Sequence, residues 1–345
     1  MDVLAPMTLD PAVDALMQRG AAFLGTRYAI LGGAMSWVSE RNLVAALSNA
    51  GAFGVIACGA MMPDRLAEEI AATQALTDKP FGVNLITMHP NLMELVQVCL
   101  EAKVGHIVFA GGIPPGPAIK AAKEGGAKVI CFAPALALAK KLVRSGADAL
   151  VIEGSEAGGH IGPVSLTVLA QEILPHIRDV PVYVAGGIGR GEAILSYLEM
   201  GAAGVQIGTR FVCATECVAH PNFKRAFIRG AARDALPTVQ LDESFPVIPV
   251  RALQNEGTKR FLEHQAAVLR RFKAGEVAKD AGQLEIEHFW AGALRRAVVD
   301  GDVENGSLMA GQSVGMVTKE QPAAEIIAEL LAQASAALTA RRAGA

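Results

Sequence analysis

The run Glu153-Gly154-Ser155-Glu156-Ala157-Gly158-Gly159-His160-Ile161-Gly162 sets an imidazole inside a glycine-rich turn directly after the apolar segment 149–152. Imidazole is the side chain whose ordinary pKa lies nearest neutrality, so it can take or give a proton without extreme perturbation. Glycines at 158, 159 and 162 let the main chain approach a ligand closely and adopt positive φ. This is a way to mount a reactive group at the mouth of a pocket, and it points to an enzyme acting on a small molecule. His89, His106, His176, His220, His264 and His288 lack such a setting and read as structural histidines.

Two further glycine-rich runs, Ala185-Gly186-Gly187-Ile188-Gly189 and Gln206-Ile207-Gly208-Thr209, also end apolar segments. Glycine removes the Cβ that would block a phosphate from main-chain N–H groups, and a following helix N-terminus adds favourable electrostatics. Either run alone is equally well explained as a tight turn; the pair together favours a phosphorylated cofactor.

These turns need a scaffold that brings them to one end. Short apolar runs at 28–31, 54–57, 81–86, 106–110, 128–133, 149–152, 181–185 and 204–207 read as buried strands. Amphipathic segments at 40–50, 63–76, 91–102, 117–124, 136–145, 166–174 and 191–200 read as helices between them. Hinges such as Gly51-Ala52-Phe53-Gly54, Ser145-Gly146-Ala147 and Gly201-Ala202-Ala203-Gly204 supply a glycine past each helix end. Eight βα units predict a (β/α)₈ barrel, with chemistry on the loops after the strands. An open doubly wound sheet is the competitor, but it would concentrate its glycine signal after the first strand.

Regularity stops after Thr209. Residues 214–316, with a helical run at 257–273, are expected to form a helical insertion or cap. Residues 1–213 and about 317–345 would form the barrel, and 321–341 would be its eighth helix.

Composition agrees. Of 345 residues 52% are hydrophobic, 5% aromatic and 19% charged, with 36 glycines, as expected for strands buried on both faces. A net charge of -3 without long basic runs offers no footprint for nucleic acid or anionic lipid. Five scattered cysteines read as reduced core residues, with no zinc-ligand spacing, so no metal is expected. The stretch 1–14 lacks the basic and apolar regions of a signal peptide, and no apolar run reaches about 18 residues. A cytoplasmic protein is expected, and a homodimer is compatible with the sequence.

In order along the chain, Gly33-Ala34-Met35-Ser36-Trp37-Val38, Gly82-Val83-Asn84-Leu85, Glu156-Ala157-Gly158-Gly159-His160, Ala185-Gly186-Gly187-Ile188, Gln206-Ile207-Gly208-Thr209 and Met309-Ala310-Gly311-Gln312 resemble the nitronate monooxygenase (2-nitropropane dioxygenase) family of FMN-dependent barrels. The resemblance implies FMN held by Gly158, Gly159, Gly186, Gly187, Gln206, Gly208 and Thr209, the last four around its phosphate. Ala34, Met35, Ser36, Asn84 and Glu153 would line the ring and ribityl chain, with Met309 and Gln312 closing over them. It further implies oxidation of alkyl nitronates or nitroalkanes by O2, with His160 as the catalytic base. The same superfamily contains FMN-dependent enoyl-acyl-carrier-protein reductases of type II, which the Met309–Gln312 segment also resembles. The alternative activity is therefore an NAD(P)H-dependent flavin reductase acting on an enoyl thioester or quinone. Ser165 and Thr167 are expected to cap the next helix, and Trp37 to pack in the core or a loop.

Overall fold

The computed structural model describes residues 9–59 and 61–344. Residues 1–8 of the stretch read for a signal peptide lie outside the described residues. The strands are β1 Ile30–Gly32, β2 Gly54–Ala57, β3 Phe81–Ile86, β4 His106–Ala110, β5 Lys128–Phe132, β6 Ala149–Glu153, β7 Gly159–His160, β8 Val182–Ala185, β9 Gly204–Ile207, β10 Ala235–Pro237 and β11 Val250–Leu253. Eight of them form one parallel sheet in the order β1-β9-β8-β6-β5-β4-β3-β2. A parallel bridge between Leu31 and Phe53 joins its two edges, so the sheet is a barrel.

All eight expected strands are present, and the seven expected helices between them lie within a residue or so of their expected ends. The physical cause is common to each unit. A strand buried on both faces must be apolar throughout, and the residues of β2, β8 and β9 are all buried. The helix-to-strand hinges work as expected, with Gly51, Gly146 and Gly201 all at positive φ. Only the first strand is displaced, by two residues, because Tyr28 donates its N–H to the Gly51 carbonyl instead of entering the ladder.

Helix Pro11–Leu24, which the sequence reading did not assign, closes the end of the barrel where the strands begin. Its main-chain oxygens are used as anchors: Gly20 O accepts from Tyr183 Oη at 2.8 Å, and Phe23 O pairs with His106 Nε2 at 3.1 Å. His106 is thereby structural, as expected, and burial pushes its imidazole down to about 4. Helix Ala323–Ala343 packs against helices Gly191–Glu199 and Arg41–Asn49, filling the eighth position of the outer ring. Among the described residues it is long and apolar enough to cross a membrane, but its Ile326, Ile327, Leu330 and Leu331 are buried on the barrel.

Residues 214–316 are more than helical. They carry helices Pro221–Arg229, Glu256–Lys273 and Lys279–Val298, and also β10 and β11. Those two strands and β7 make an antiparallel sheet in the order β10-β11-β7. Phe245, Val250, Phe261, Val268, Ile286 and Trp290 form a separate hydrophobic cluster there, with the Phe261 and Trp290 rings 4.1 Å apart. The five cysteines are all buried and free, as expected; burial pushes the Cys58 thiol up to about 11.

Candidate active site

At the strand ends opposite helix Pro11–Leu24 lie the expected site residues, on β3, β6 and β9, on the loops after β1, β6, β8 and β9, and on the segment 309–312. After β1, Ser39 Oγ accepts from Met35 N–H at 3.0 Å and donates to Gly33 O at 2.8 Å, shaping a tight loop that leaves Ala34, Met35 and Ser36 half-buried. The Met35 sulfur lies over Gly208, 3.4 Å from where a Cβ on that glycine would stand. Ser36 faces Gly59 in the same way, at 3.2 Å. Asn84, near the end of β3, is buried and donates through Nδ2 to Val108 O at 3.1 Å.

Glu153 ends β6. Its carboxyl has neither a hydrogen-bond nor an ion-pair partner among the described residues, and burial alone pushes it up to about 8. The residue as a whole is half-buried, while its carboxyl is enclosed by barrel atoms.

After β8, Gly186 and Gly187 stand at φ 98° and 71°, the left-handed region that glycine occupies without strain. A Cβ on Gly186 would meet Gly154 O at 2.9 Å, and one on Gly187 would meet Glu156 Cβ at 3.0 Å. Among the described residues, no acceptor pairs with the N–H groups of Gly186, Gly187 or Gly208. Three free donors on adjacent loops make a cradle for an anion. Gln206 and Thr209 are buried beside it.

The segment 309–312 returns to this same place. Gly311 N–H donates to Thr209 Oγ1 at 3.0 Å, and Gln312 N–H donates to Glu156 O at 2.9 Å. Gly158 is required by that return: a Cβ there would stand 2.5 Å from Gly311 N and 2.6 Å from Ala310 C. Close approach of main chain to main chain, with no ligand involved, thus already accounts for this glycine. The Met309 sulfur lies 3.7 Å from the Cβ position of Gly159, which has φ 79°.

His160 sits in β7, opposite Val250 of β11, and its side chain is 44% exposed. Its Nε2 is 2.8 Å from Glu287 Oε2 on helix Lys279–Val298. Nδ1 has no partner among the described residues.

Several expectations need correcting. Ser165 occupies the N-cap position of helix Leu166–Ile173 without a side-chain bond; Glu156 caps that helix instead, accepting from Leu166 N–H at 2.9 Å. A carboxylate carries a full charge to the helix N-terminus where a hydroxyl carries none. Thr167 is not a cap and lies 3.4 Å from Tyr197 Oη. Trp37 is not core: it is 46% exposed at φ 67°, with the Arg295 guanidinium 5.8 Å from its ring centre.

Sequence reasoning missed Glu287 and Arg251. Arg251 is buried and donates to Ser155 O at 2.9 Å and Ala235 O at 2.5 Å, so it ties the loop after β6 to the small sheet. Neither residue carries a local signal, because the partner of each is far away in sequence. Among the described residues, no group of three or more His, Cys, Asp or Glu side chains is disposed to hold a metal ion.

Residues 18–97 and 93–333 match the sequence model of the family described as nitronate monooxygenase. The chain is 30% identical to the (3aS,4S,5R,7aS)-5-hydroxy-7a-methyl-1-oxo-octahydro-1H-indene-4-carboxyl-CoA dehydrogenase of Mycobacterium tuberculosis, covering 90% of this chain and 94% of that protein. It is 28% identical to a nitronate monooxygenase of Paraburkholderia phytofirmans, over 89% and 92% of the two chains. The solved structure of FabK from Thermotoga maritima superposes with a TM-score of 0.83 at 35% identity, covering 98% of this chain and all of that one.

Proposed function

We propose, for a chain that belongs to the nitronate monooxygenase family of oxidoreductases, that it is an FMN-dependent enzyme oxidising alkyl nitronates and nitroalkanes with O2, with His160 as its base. The observation that carries this reading is the cradle of unpaired N–H groups at Gly186, Gly187 and Gly208, joined through the Glu156–Gln312 and Thr209–Gly311 hydrogen bonds to the loop that bears His160. Those residues fit FMN. The three N–H groups and Thr209 would hold its phosphate, and Asn84 and Met35 would border the ring. Glu153, lacking a protein partner, would accept from the ribityl hydroxyls. Bound flavin supplies reversible electron acceptance.

The chain's own residues supply the rest. The His160 imidazole takes the proton from the carbon beside the nitro group, and the resulting negative charge is delocalised onto the nitro oxygens. A nitronate arrives already deprotonated and does not need that step. Met309 and Gln312 limit access of water from the side of the returning segment. Residues 214–316 act as the cap and the rest of the chain as the barrel.

A second reading is favoured by a specific observation: the 35% identity to FabK exceeds the 28% to the nitronate monooxygenase, and the 30% relative is a carboxyl-CoA dehydrogenase. In it the same site handles an acyl thioester, a nicotinamide serves as electron donor, and His160 exchanges a proton at the carbon next to the thioester.

One pair of assays separates the readings. Oxygen uptake is measured with propyl-2-nitronate and no nicotinamide, and NADH or NADPH oxidation is measured with crotonyl-CoA. Activity confined to the second mixture rejects the first reading. His160→Ala is expected to keep flavin and to lose turnover of neutral 2-nitropropane by about 10²-fold or more, with a smaller loss for the nitronate. Equal turnover of both substrates by variant and wild type would remove His160 from the chemistry.

A further inference from the structure

We propose that Glu287 is the positioning residue for His160: it holds the imidazole with its proton on Nε2 and leaves Nδ1 to exchange a proton with substrate. The inference rests on the reading of His160 as the base and adds the atom that acts and the group that fixes it. Its starting point is the 2.8 Å contact between Nε2 and Glu287 Oε2. A carboxylate only accepts, so the shared hydrogen belongs to the ring, and a neutral imidazole has one hydrogen to place. Nδ1 is then the free base. When it takes a proton the ring becomes a cation facing the Glu287 carboxylate, which stabilises the charge that forms.

The pair is held by a common core. Val250, opposite His160 in the small sheet, is fully buried in the same cluster as Ile286 and Trp290, the residues one before and three after Glu287. Ile161 N–H donates to Pro249 O at 2.9 Å, which extends the pairing of β7 with β11 one residue past His160. Imidazole and carboxylate thus enter from elements 127 residues apart whose spacing is set by one packed cluster. This gives residues 214–316 a part in the chemistry besides covering the mouth.

The magnitude follows from exposure. The two side chains are 44% and 30% exposed, so water competes for both. The loss on deletion should fall well below the ~10⁴-fold cost of disturbing the buried orienting Asp of a serine-protease triad. We expect Glu287→Ala to lower kcat for a carbon acid about tenfold with KM unchanged, and Glu287→Gln, whose amide oxygen can still accept from Nε2, to lose less.

A readout independent of turnover is ¹⁵N NMR of histidine-labelled, flavin-free protein above the titration range of the ring. Wild type and Glu287→Gln should show His160 with hydrogen on Nε2 and an unprotonated Nδ1, whereas Glu287→Ala should show a mixture of tautomers. An unchanged spectrum and kcat in Glu287→Ala, alongside an inactive His160→Ala, would overturn the role of Glu287 and leave the base in place. Unchanged turnover in His160→Ala would instead overturn the reading beneath it.

Discussion

Replacing Glu153 by glutamine should make the flavin-free protein more stable, and only at neutral and alkaline pH. The folded carboxyl is pushed up to about 8 by burial, against an ordinary value of 4.5. Below pH 4.5 folded and unfolded chains both hold the proton, and Glu153 behaves as a neutral hydrogen-bonding group much like glutamine. As pH rises from 4.5 the unfolded chain ionises while the folded chain does not, so wild-type stability falls; the loss is complete once pH passes 8. Each pH unit across that window is worth about 1.4 kcal/mol, which sets a ceiling of about 5 kcal/mol. The partial exposure of the residue brings the expected value to a few kcal/mol. Urea denaturation of wild type and Glu153→Gln at pH 5, 7 and 9 measures it. The two proteins should nearly coincide at pH 5 and separate progressively to pH 9. A difference that does not change with pH would mean that Glu153 titrates as an ordinary surface carboxyl, and the account of it as a buried, unpartnered acid would fail.

Two substitutions at glycines test the cradle and the returning segment. Gly187→Val forces a β-branched residue to φ 71° with Glu156 Cβ only 3.0 Å from the new Cβ; it should cost about 1–3 kcal/mol in thermal or urea stability and leave the purified protein without flavin absorbance. Gly158→Ala puts a methyl 2.5 Å from Gly311 N, so the 309–312 segment must move: about 1–3 kcal/mol should be lost, and hydrogen exchange at Gly311 and Gln312 should accelerate. Full protection of those amides in the variant would contradict the packing described.

The barrel was legible because its physics is local. Each parallel strand is an unbroken apolar run, each hinge needs glycine past a helix end, and both leave marks within a few residues. The same glycines marked the mouth, and the structure gathers Met35, Asn84, Glu153, Gly187, Gly208 and Thr209 there. Helix Pro11–Leu24 also carried a readable signal, Asp10 before Pro11 and Gly25 in the left-handed conformation at its end, which went unread. The remainder was not legible. β7 has two residues inside a glycine turn, and its partner β11 lies far along the chain, with Val250 opposite His160; β10 contains a proline, and its three residues are too few to show an alternation. Helix Lys279–Val298 is interrupted in sequence by Gly282 and Gly292, which count against a helix until Gly282 is seen to let Phe245 and Val268 approach. Glu287 rides on that helix, so its pairing with His160 could not be read before the helix was placed.

The outer ring is completed out of order. Helix Ala323–Ala343 fits between Arg41–Asn49 and Gly191–Glu199, and Gly191 lies so near it that a Cβ would stand 1.9 Å from Leu330 O. On the ribosome, the first two hundred residues therefore emerge with a greasy groove that nothing made so far can fill, and the cap must be synthesised before the wedge arrives. Sealing of the helical layer is thus a late event of translation, although the last strand of the cylinder ends at Ile207.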